Sequence, residues 1–246
     1  MKVLIHGSTG RMGKILCELL QAGYSDLELA ARVSPEEIAD PANCVYTALS
    51  EVDCAVDCVI DFSHHTAVGA LMDFCISKNL PVVVSTTGHT PEEKTVIAAA
   101  AEKIPVFFSA NMSIGVALVA ELAKKAASVF PDANIEIVEK HHNQKLDVPS
   151  GTALLLAHRI QEALTDSVLL VGRHENGKRT AKEIGIHSLR LGNEVGTHEI
   201  IITTGAETIT LKHEAENRSL FANGALAAAA FLEGKPAGLY SMRDII

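Results

Sequence analysis

Lys2-Val3-Leu4-Ile5-His6-Gly7-Ser8-Thr9-Gly10-Arg11-Met12-Gly13, followed by Lys14-Ile15-Leu16-Cys17-Glu18-Leu19-Leu20, is the stretch from which the fold follows. A short apolar run ahead of a glycine-rich turn reads as a buried strand, and apolar residues at helical spacing behind the turn read as a helix. Strand, glycine turn and helix in that order form a dinucleotide-binding arrangement. The glycines permit a tight turn and let a pyrophosphate approach the helix N-terminus. The spacing is GxxGxxG, not the commoner GxGxxG, so the surrounding elements must carry the reading.

They do so in order. Leu27 to Val33 reads as a second strand, Cys54 to Ser63 as a third, Leu80 to Val84 as a fourth and Pro105 to Phe108 as a fifth, with helices from Thr66 to Lys78 and from Pro91 to Lys103. Strands alternating with helices, each strand ending in small polar residues, give a doubly wound parallel sheet with its ligand across the carboxyl ends. His64-His65 lies on that edge, where a structural or cofactor-edge role outweighs a catalytic one because nothing nearby completes an acid-base set. The end of the second strand bears on cofactor choice. Arg32 and Ser34 lean towards the extra phosphate of NADPH, whereas Glu36 or Glu37 can reach a ribose as in NADH sites.

After a helix from Ile114 to Val129 the pattern changes. Strands at Asn134 to Lys140, Ser167 to Val171, Ile184 to Arg190, His198 to Thr204 and Glu207 to His213 are joined by turns or by the single helix after Ser150. This predicts an α+β domain on a mixed sheet, with a face left uncovered as a natural oligomer interface. The alanine-rich helix from Phe221 to Leu232 suits close packing on a sheet, so the tail is expected to return to the first domain. The fold class is therefore α/β: a Rossmann-type doubly wound parallel sheet, residues 1–112 plus 223–246, with a second α+β domain, residues 113–222.

The chemistry concentrates in Glu139-Lys140-His141-His142-Asn143-Gln144-Lys145-Leu146-Asp147-Val148-Pro149-Ser150-Gly151-Thr152. Pro149 disfavours helix at Val148, so a helix starts at Ser150 or Gly151. Ser150 or Thr152 can cap its first turn, and Gly151 lets a ligand close to the backbone. Free N–H groups and the helix dipole favour an anion, each such interaction contributing about 0.3 to 1 kcal/mol when exposed. Lys145 adds a full charge. His141 and His142 face opposite ways if the strand runs through them, and both turn inward only if it has already ended.

Composition narrows the field. A formal net charge of −9 disfavours nucleic acid and anionic membranes as partners, so anionic ligands must be held by local donors. No apolar run approaches the roughly 20 residues of a membrane span, and no signal-peptide pattern precedes the first strand. The 5 cysteines lack a CxxC pair, which favours reduced thiols and a cytoplasmic location. The 11 histidines form no HExxH or Cys/His cluster, and no metal site is expected.

The turn Gly7 to Gly13, Thr86-Thr87-Gly88, Asn111-Met112-Ser113-Ile114-Gly115, His141-His142 with Lys145, Asp147 to Ala153, Gly185 to Arg190 and the ending Gly238-Leu239-Tyr240-Ser241-Met242 together resemble the dihydrodipicolinate reductase family. The likeness spans nearly the whole chain. It implies NADPH- and/or NADH-dependent reduction of a cyclic dicarboxylate, 4-hydroxy-tetrahydrodipicolinate, in lysine biosynthesis through diaminopimelate. It implies His141 as general acid/base, Lys145 as second proton donor, and His142, Ser150, Gly151 and Thr152 as holders of the substrate. It implies nucleotide contacts at Gly7, Ser8, Thr9, Gly10, Arg11 and Met12, at Ser85, Thr86 and Thr87, and at Ser109, Ala110, Asn111 and Met112. A homotetramer through the second domain's sheet is implied as well. Val148 replaces the usual alanine, and the acidic residue common after the second strand is displaced or absent.

Two rivals remain in view. An amino-acid dehydrogenase acting on aspartate or homoserine shares the architecture, yet gives no reason for His-His-x-x-Lys ahead of Pro-Ser-Gly-Thr. A non-catalytic dinucleotide sensor would need an interaction module, and the sequence shows no basic recognition helix.

Overall fold

Valine, isoleucine and leucine runs too short for helices, each broken soon afterwards by glycine or serine, become the strands of the first unit. A computed structural model describes residues 1–23 and 26–246. The chain forms β1 (Lys2–His6), α1 (Arg11–Gln21), β2 (Glu28–Val33), β3 (Val45–Tyr46), β4 (Cys58–Asp61), α2 (Val68–Lys78), β5 (Val82–Val84), α3 (Pro91–Ala101) and β6 (Pro105–Phe108). It continues through α4 (Ile114–Val129), β7 (Asn134–His141), α5 (Gly151–Gln161), β8 (Val168–Val171), β9 (Glu183–Arg190), β10 (Gly196–Thr203) and β11 (Thr208–Ala215), and ends with α6 (Ser219–Leu232) and β12 (Gly238–Tyr240). Two compact units result, one of Met1–Ser113 with Ser219–Ile246, the other of Ile114–Arg218.

The first unit is built on a 7-stranded sheet in the order β12-β6-β5-β4-β1-β2-β3, every pair parallel. The chain runs outward from β1 to β3 and then crosses back to β4, so the strand order reverses between β1 and β4. Ligands of such sheets bind outside the carboxyl ends at that reversal. Leu4, Val59, Val82 and Val84 pack with Val68, Leu71 and Ile97 of α2 and α3 on one face, while α6 contacts β4, β5 and β6. Three details differ from the sequence reading, the first being that Gly238–Tyr240 joins β6 as an edge strand. The expected third strand is shorter, Cys58–Asp61, and Val45–Tyr46 forms an additional edge strand beyond β2. Two residues carry too little periodicity to be read as a strand.

The second unit holds a 5-stranded mixed sheet in the order β11-β10-β7-β9-β8, with β10 antiparallel to β7 and β11, and β9 parallel to β7 and β8. In β7, Ile135, Ile137, Glu139 and His141 are buried and alternate with the half-buried Glu136, Val138 and Lys140. Ile135, Ile137, Ile184, Ile186, Ile200 and Ile202 share one core with Ala120, Ala123 and Ala127 of α4 and Leu156, Ala157 and Ile160 of α5. Each buried isoleucine contributes about 1.5 to 3 kcal/mol. A slip of one residue would turn the whole set to the other face, so the core fixes the register of β7. That same register carries Glu139 and His141 to the helix-covered face, past the last isoleucine of the strand. No helix among the described residues is long and apolar enough to cross a membrane.

Candidate active site

The carboxyl end of β7 brings a histidine and a carboxylate together because residues two apart in a strand face the same side. Glu139 is fully buried, and its Oε2 accepts a hydrogen bond from His141 Nδ1 at 2.5 Å. In the parallel register His141 stands opposite Arg190 of β9. The Arg190 guanidinium donates to both Glu139 oxygens at 2.9 Å and to the Asp147 carbonyl at 2.7 Å. The Ser150 backbone N–H adds a further bond to Glu139 Oε1 at 3.3 Å.

These contacts set the charges. Burial by itself would raise the Glu139 pKa, but Arg190 and His141 outweigh it and hold the carboxyl down to about 2. Glu139 is therefore ionised and accepts only, so Nδ1 of His141 carries the proton and Nε2 is left for chemistry. Burial pushes the His141 pKa below its ordinary value; Glu139 opposes the shift, and the charges of Lys145 and Arg190 add to it.

The same face is closed by the start of α5. Ser150 is its N-cap, and its Oγ accepts from the Ala153 N–H at 3.1 Å. The Ser150 hydroxyl also shares a hydrogen with His198 Nε2 at 3.1 Å, and the His198 ring meets the His141 ring edge-on at 5.1 Å. Burial, with the nearby charge of His141, lowers His198 to about 3, so it is a neutral wall. Gly196 flanks the reactive nitrogen: a Cβ there would lie 3.0 Å from His141 Nε2.

Around this centre, Gly151 is exposed and Thr152 and His142 are half-buried. The strand ends at His141, which is buried, and His142 lies beyond it. Lys145 Nζ lies 2.8 Å from Asp147 Oδ1, an ion pair within the loop between β7 and α5.

In the first unit, the turn behind β1 is shaped by close approach. Gly7 has φ +83°, and a Cβ on it would meet the Phe62 carbonyl oxygen at 2.5 Å; a Cβ on Gly13 would meet the Gly7 carbonyl oxygen at 2.2 Å. Gly10 caps α1 without a side-chain bond, and no acidic residue occupies the first turn, so its N–H groups remain open to an anion. Gly7, Gly13 and this uncapped start form a cradle that fits a dinucleotide pyrophosphate, with Ser8, Thr9, Arg11 and Met12 around it. Two acids line the neighbouring end of β2. Ser8 Oγ donates to Glu37 at 2.8 Å, Thr9 Oγ1 donates to Glu36 at 3.0 Å, and Ser34 bonds both Thr9 and Glu36. Arg32 Nε is 3.9 Å from Glu37, so its charge is already opposed.

The other expected nucleotide residues lie at the ends of β5 and β6. Thr86 Oγ1 donates to Asp61 at 2.6 Å, and Ser85 is buried with no hydrogen-bond partner for its Oγ among the described residues. Ser109 Oγ donates to the Asn111 carbonyl at 2.7 Å, Met112 is buried, and Thr87 and Ala110 are exposed. The His64 and His65 rings lie tilted against each other at 37° with centroids 4.4 Å apart, and His65 bonds Glu93 at 2.9 Å.

Sequence reasoning gave no role to Glu139, Arg190, Gly196 or His198. The spacing of Glu139 and His141 on one strand was a usable signal. Arg190 ends the Gly185 to Arg190 motif, which contributes to the resemblance without an assigned role, and His198 comes from a distant strand with no such signal.

Family models described as dihydrodipicolinate reductase, N-terminus, and dihydrodipicolinate reductase, C-terminus, match residues 1–112 and 115–246. Among curated relatives, the 4-hydroxy-tetrahydrodipicolinate reductase of Caldanaerobacter subterraneus is 42% identical, over 100% of this chain and 98% of its own length. That of Clostridium tetani is 40% identical over 98% and 95%. Among solved structures, the dipicolinate-bound dihydrodipicolinate reductase from Paenisporosarcina superposes with a TM-score of 0.82 at 27% identity, covering 100% of this chain and 99% of that one. Aspartate dehydrogenase from Thermotoga maritima, with a TM-score of 0.53 at 14% identity over 96% and 98%, shares the fold alone.

Proposed function

The chain belongs to the dihydrodipicolinate reductase family, and on that premise we propose how its residues carry out the NAD(P)H-dependent reduction of 4-hydroxy-tetrahydrodipicolinate to tetrahydrodipicolinate, a step of lysine biosynthesis through diaminopimelate. The reaction adds one hydride and one proton and releases one water. Bound NAD(P)H supplies the hydride. The first unit binds the nucleotide, at the turn Gly7 to Met12 and at the strand ends Ser85 to Thr87 and Ser109 to Met112. The second unit binds the substrate.

One ring carboxylate takes the N–H groups of Gly151 and Thr152 at the start of α5, with His142 beside it. Lys145 leaves Asp147 for the other carboxylate and stands by as second proton donor. His141 gives or takes the proton at Nε2, the nitrogen that Glu139 leaves unoccupied and Gly196 leaves uncovered. Ionised Glu139 fixes the tautomer and stabilises the protonated ring, as the carboxylate does in a serine-protease triad. The observation that carries this reading is the Glu139–His141 pair beside the Ser150-capped start of α5. Loss of turnover with retained substrate binding in His141→Gln tests it.

At the adenosine end, Glu36 and Glu37 favour a ribose diol over a 2′-phosphate, which supports NADH as the better cofactor of the two. A homotetramer through the β7 face that carries Glu136, Val138 and Lys140 completes the reading, supported by the placement of α4 and α5 on the opposite face. Light scattering of the purified chain gives the test of assembly. A cytoplasmic location accords with the free state of Cys17, Cys44, Cys54, Cys58 and Cys75.

A further inference from the structure

His6 is the last residue of β1 and alternates onto the same sheet face as Leu4, which packs against α2. Its Nδ1 lies 2.8 Å from Asp61 Oδ1 on the neighbouring strand β4. Asp61 is buried and also accepts from Ser63 and Thr86, each at 2.6 Å. With hydroxyl donors on both its oxygens, this carboxylate serves as an acceptor, so the His6 proton resides on Nδ1. Nε2 makes no hydrogen bond among the described residues, and in the neutral ring it is the acceptor nitrogen.

The ring lines a cavity of about 630 Å³. Its apolar walls are Pro35, Ala48, Leu49, Ala67, Ala70 and Phe74. Among its polar members, Thr47 Oγ1 is committed to Glu51 at 2.9 Å and Ser77 Oγ to the Phe74 carbonyl at 2.8 Å, while Ser50 and Asp73 stand exposed. The cavity begins at Pro35, next to the acids Glu36 and Glu37 at the end of β2. A dinucleotide whose pyrophosphate lies on α1 and whose ribose lies on those acids would place its base here. Apolar walls suit a planar base, and a ring nitrogen without a partner suits a donor on its edge.

We propose that His6 is a specificity-determining residue for the nucleotide, its Nε2 accepting a hydrogen bond from the 6-amino group of adenine in this cavity. The inference rests on the reading that the first unit binds NAD(P)H. It assigns a residue to the recognition of the base, for which that reading names none.

The probe is reduced nicotinamide hypoxanthine dinucleotide, which carries a 6-oxo group in place of the amine, compared with NADH by fluorescence titration of the full chain. The wild type binds NADH about five- to tenfold more tightly, as expected for one buried hydrogen bond. His6→Leu brings the ratio near one by weakening NADH, and His6→Gln, which keeps a side-chain acceptor, restores part of it. Equal binding of the two dinucleotides by the wild type overturns the proposal whether or not His6→Leu folds. A preference that persists in His6→Leu also overturns it and moves recognition to the rim, where Asp73→Asn would abolish it. Failure of the folded wild type to bind either dinucleotide overturns both this proposal and the reading beneath it.

Discussion

His141 Nδ1 lies 2.5 Å from Oε2 of Glu139, two positions earlier on the same strand. The pair shares its face with the isoleucine core, so the packing that sets the register of β7 also orients the proposed acid/base. Replacing Glu139 by Gln keeps the shape and removes the charge. Turnover should fall by about 10²- to 10⁴-fold with little change in substrate KM. Steady-state kinetics, with circular dichroism to confirm folding, check this; a loss below tenfold would mean the carboxylate does not serve the histidine.

Arg190 is what makes a fully buried carboxylate tolerable. Arg190→Met strands Glu139 without its counter-charge and should destabilise the chain by about 3 to 5 kcal/mol in urea unfolding. The double variant with Glu139→Gln should recover part of that loss. Glu139 has a folded pKa of about 2, below its ordinary 4.5, so its stabilisation is complete above pH 4.5 and is lost as pH falls towards 2. The unfolding free energy of Glu139→Gln, read from urea titrations, should accordingly vary less with pH in that window.

The His141 pKa is held below 6.5, by burial first and by Lys145 and Arg190 in addition. If its protonated form starts the reaction, kcat/KM declines as pH rises through a value below 6.5. A bound dicarboxylate favours the imidazolium, so the decline in kcat should come at higher pH. Lys145→Met removes one of the depressing charges and should raise the His141 pKa, read by proton NMR titration of its ring. A downward shift would contradict the electrostatic account.

Lys145 is tied to Asp147 at 2.8 Å before any substrate arrives. Asp147→Asn weakens that tie and should lower substrate KM with kcat nearly unchanged, whereas Lys145→Ala should damage both. An unchanged KM in Asp147→Asn would show that the pair does not compete with substrate.

Glu36 and Glu37 meet Ser34, Thr9 and Ser8 at the ribose end. Exchange of both for Gln should lower KM for NADPH relative to NADH by about tenfold, since each like charge near a phosphate disfavours it. Parallel titrations with the two nucleotides give the ratio.

Much of this was legible in the sequence for identifiable reasons. Gly7 and Gly13 sit where a strand must meet a helix, so their spacing reports the close approach directly. Pro149 and Ser150 mark the start of α5 because capping is local chemistry. What escaped depends on distant partners. Arg190 reaches Glu139 from a strand 51 residues away, and His198 reaches Ser150 across 48. The charge balance at Arg32 is illegible for a similar reason: a lone basic residue does not reveal that Glu37 stands 3.9 Å from it. Val45–Tyr46 was invisible as a strand because its pairing with β2, not its own pattern, defines it.

The central claim is that His141 supplies the proton in a nucleotide-dependent reduction of the cyclic dicarboxylate. Its most direct test follows NADH and NADPH oxidation by absorbance, with substrate freshly made by a coupled synthase from pyruvate and aspartate semialdehyde, in the wild type and in His141→Gln. Oxidation that requires the synthase product and falls by at least about 10²-fold in a His141→Gln protein that still binds substrate is the predicted result. Oxidation at wild-type rate in that variant would contradict the claim.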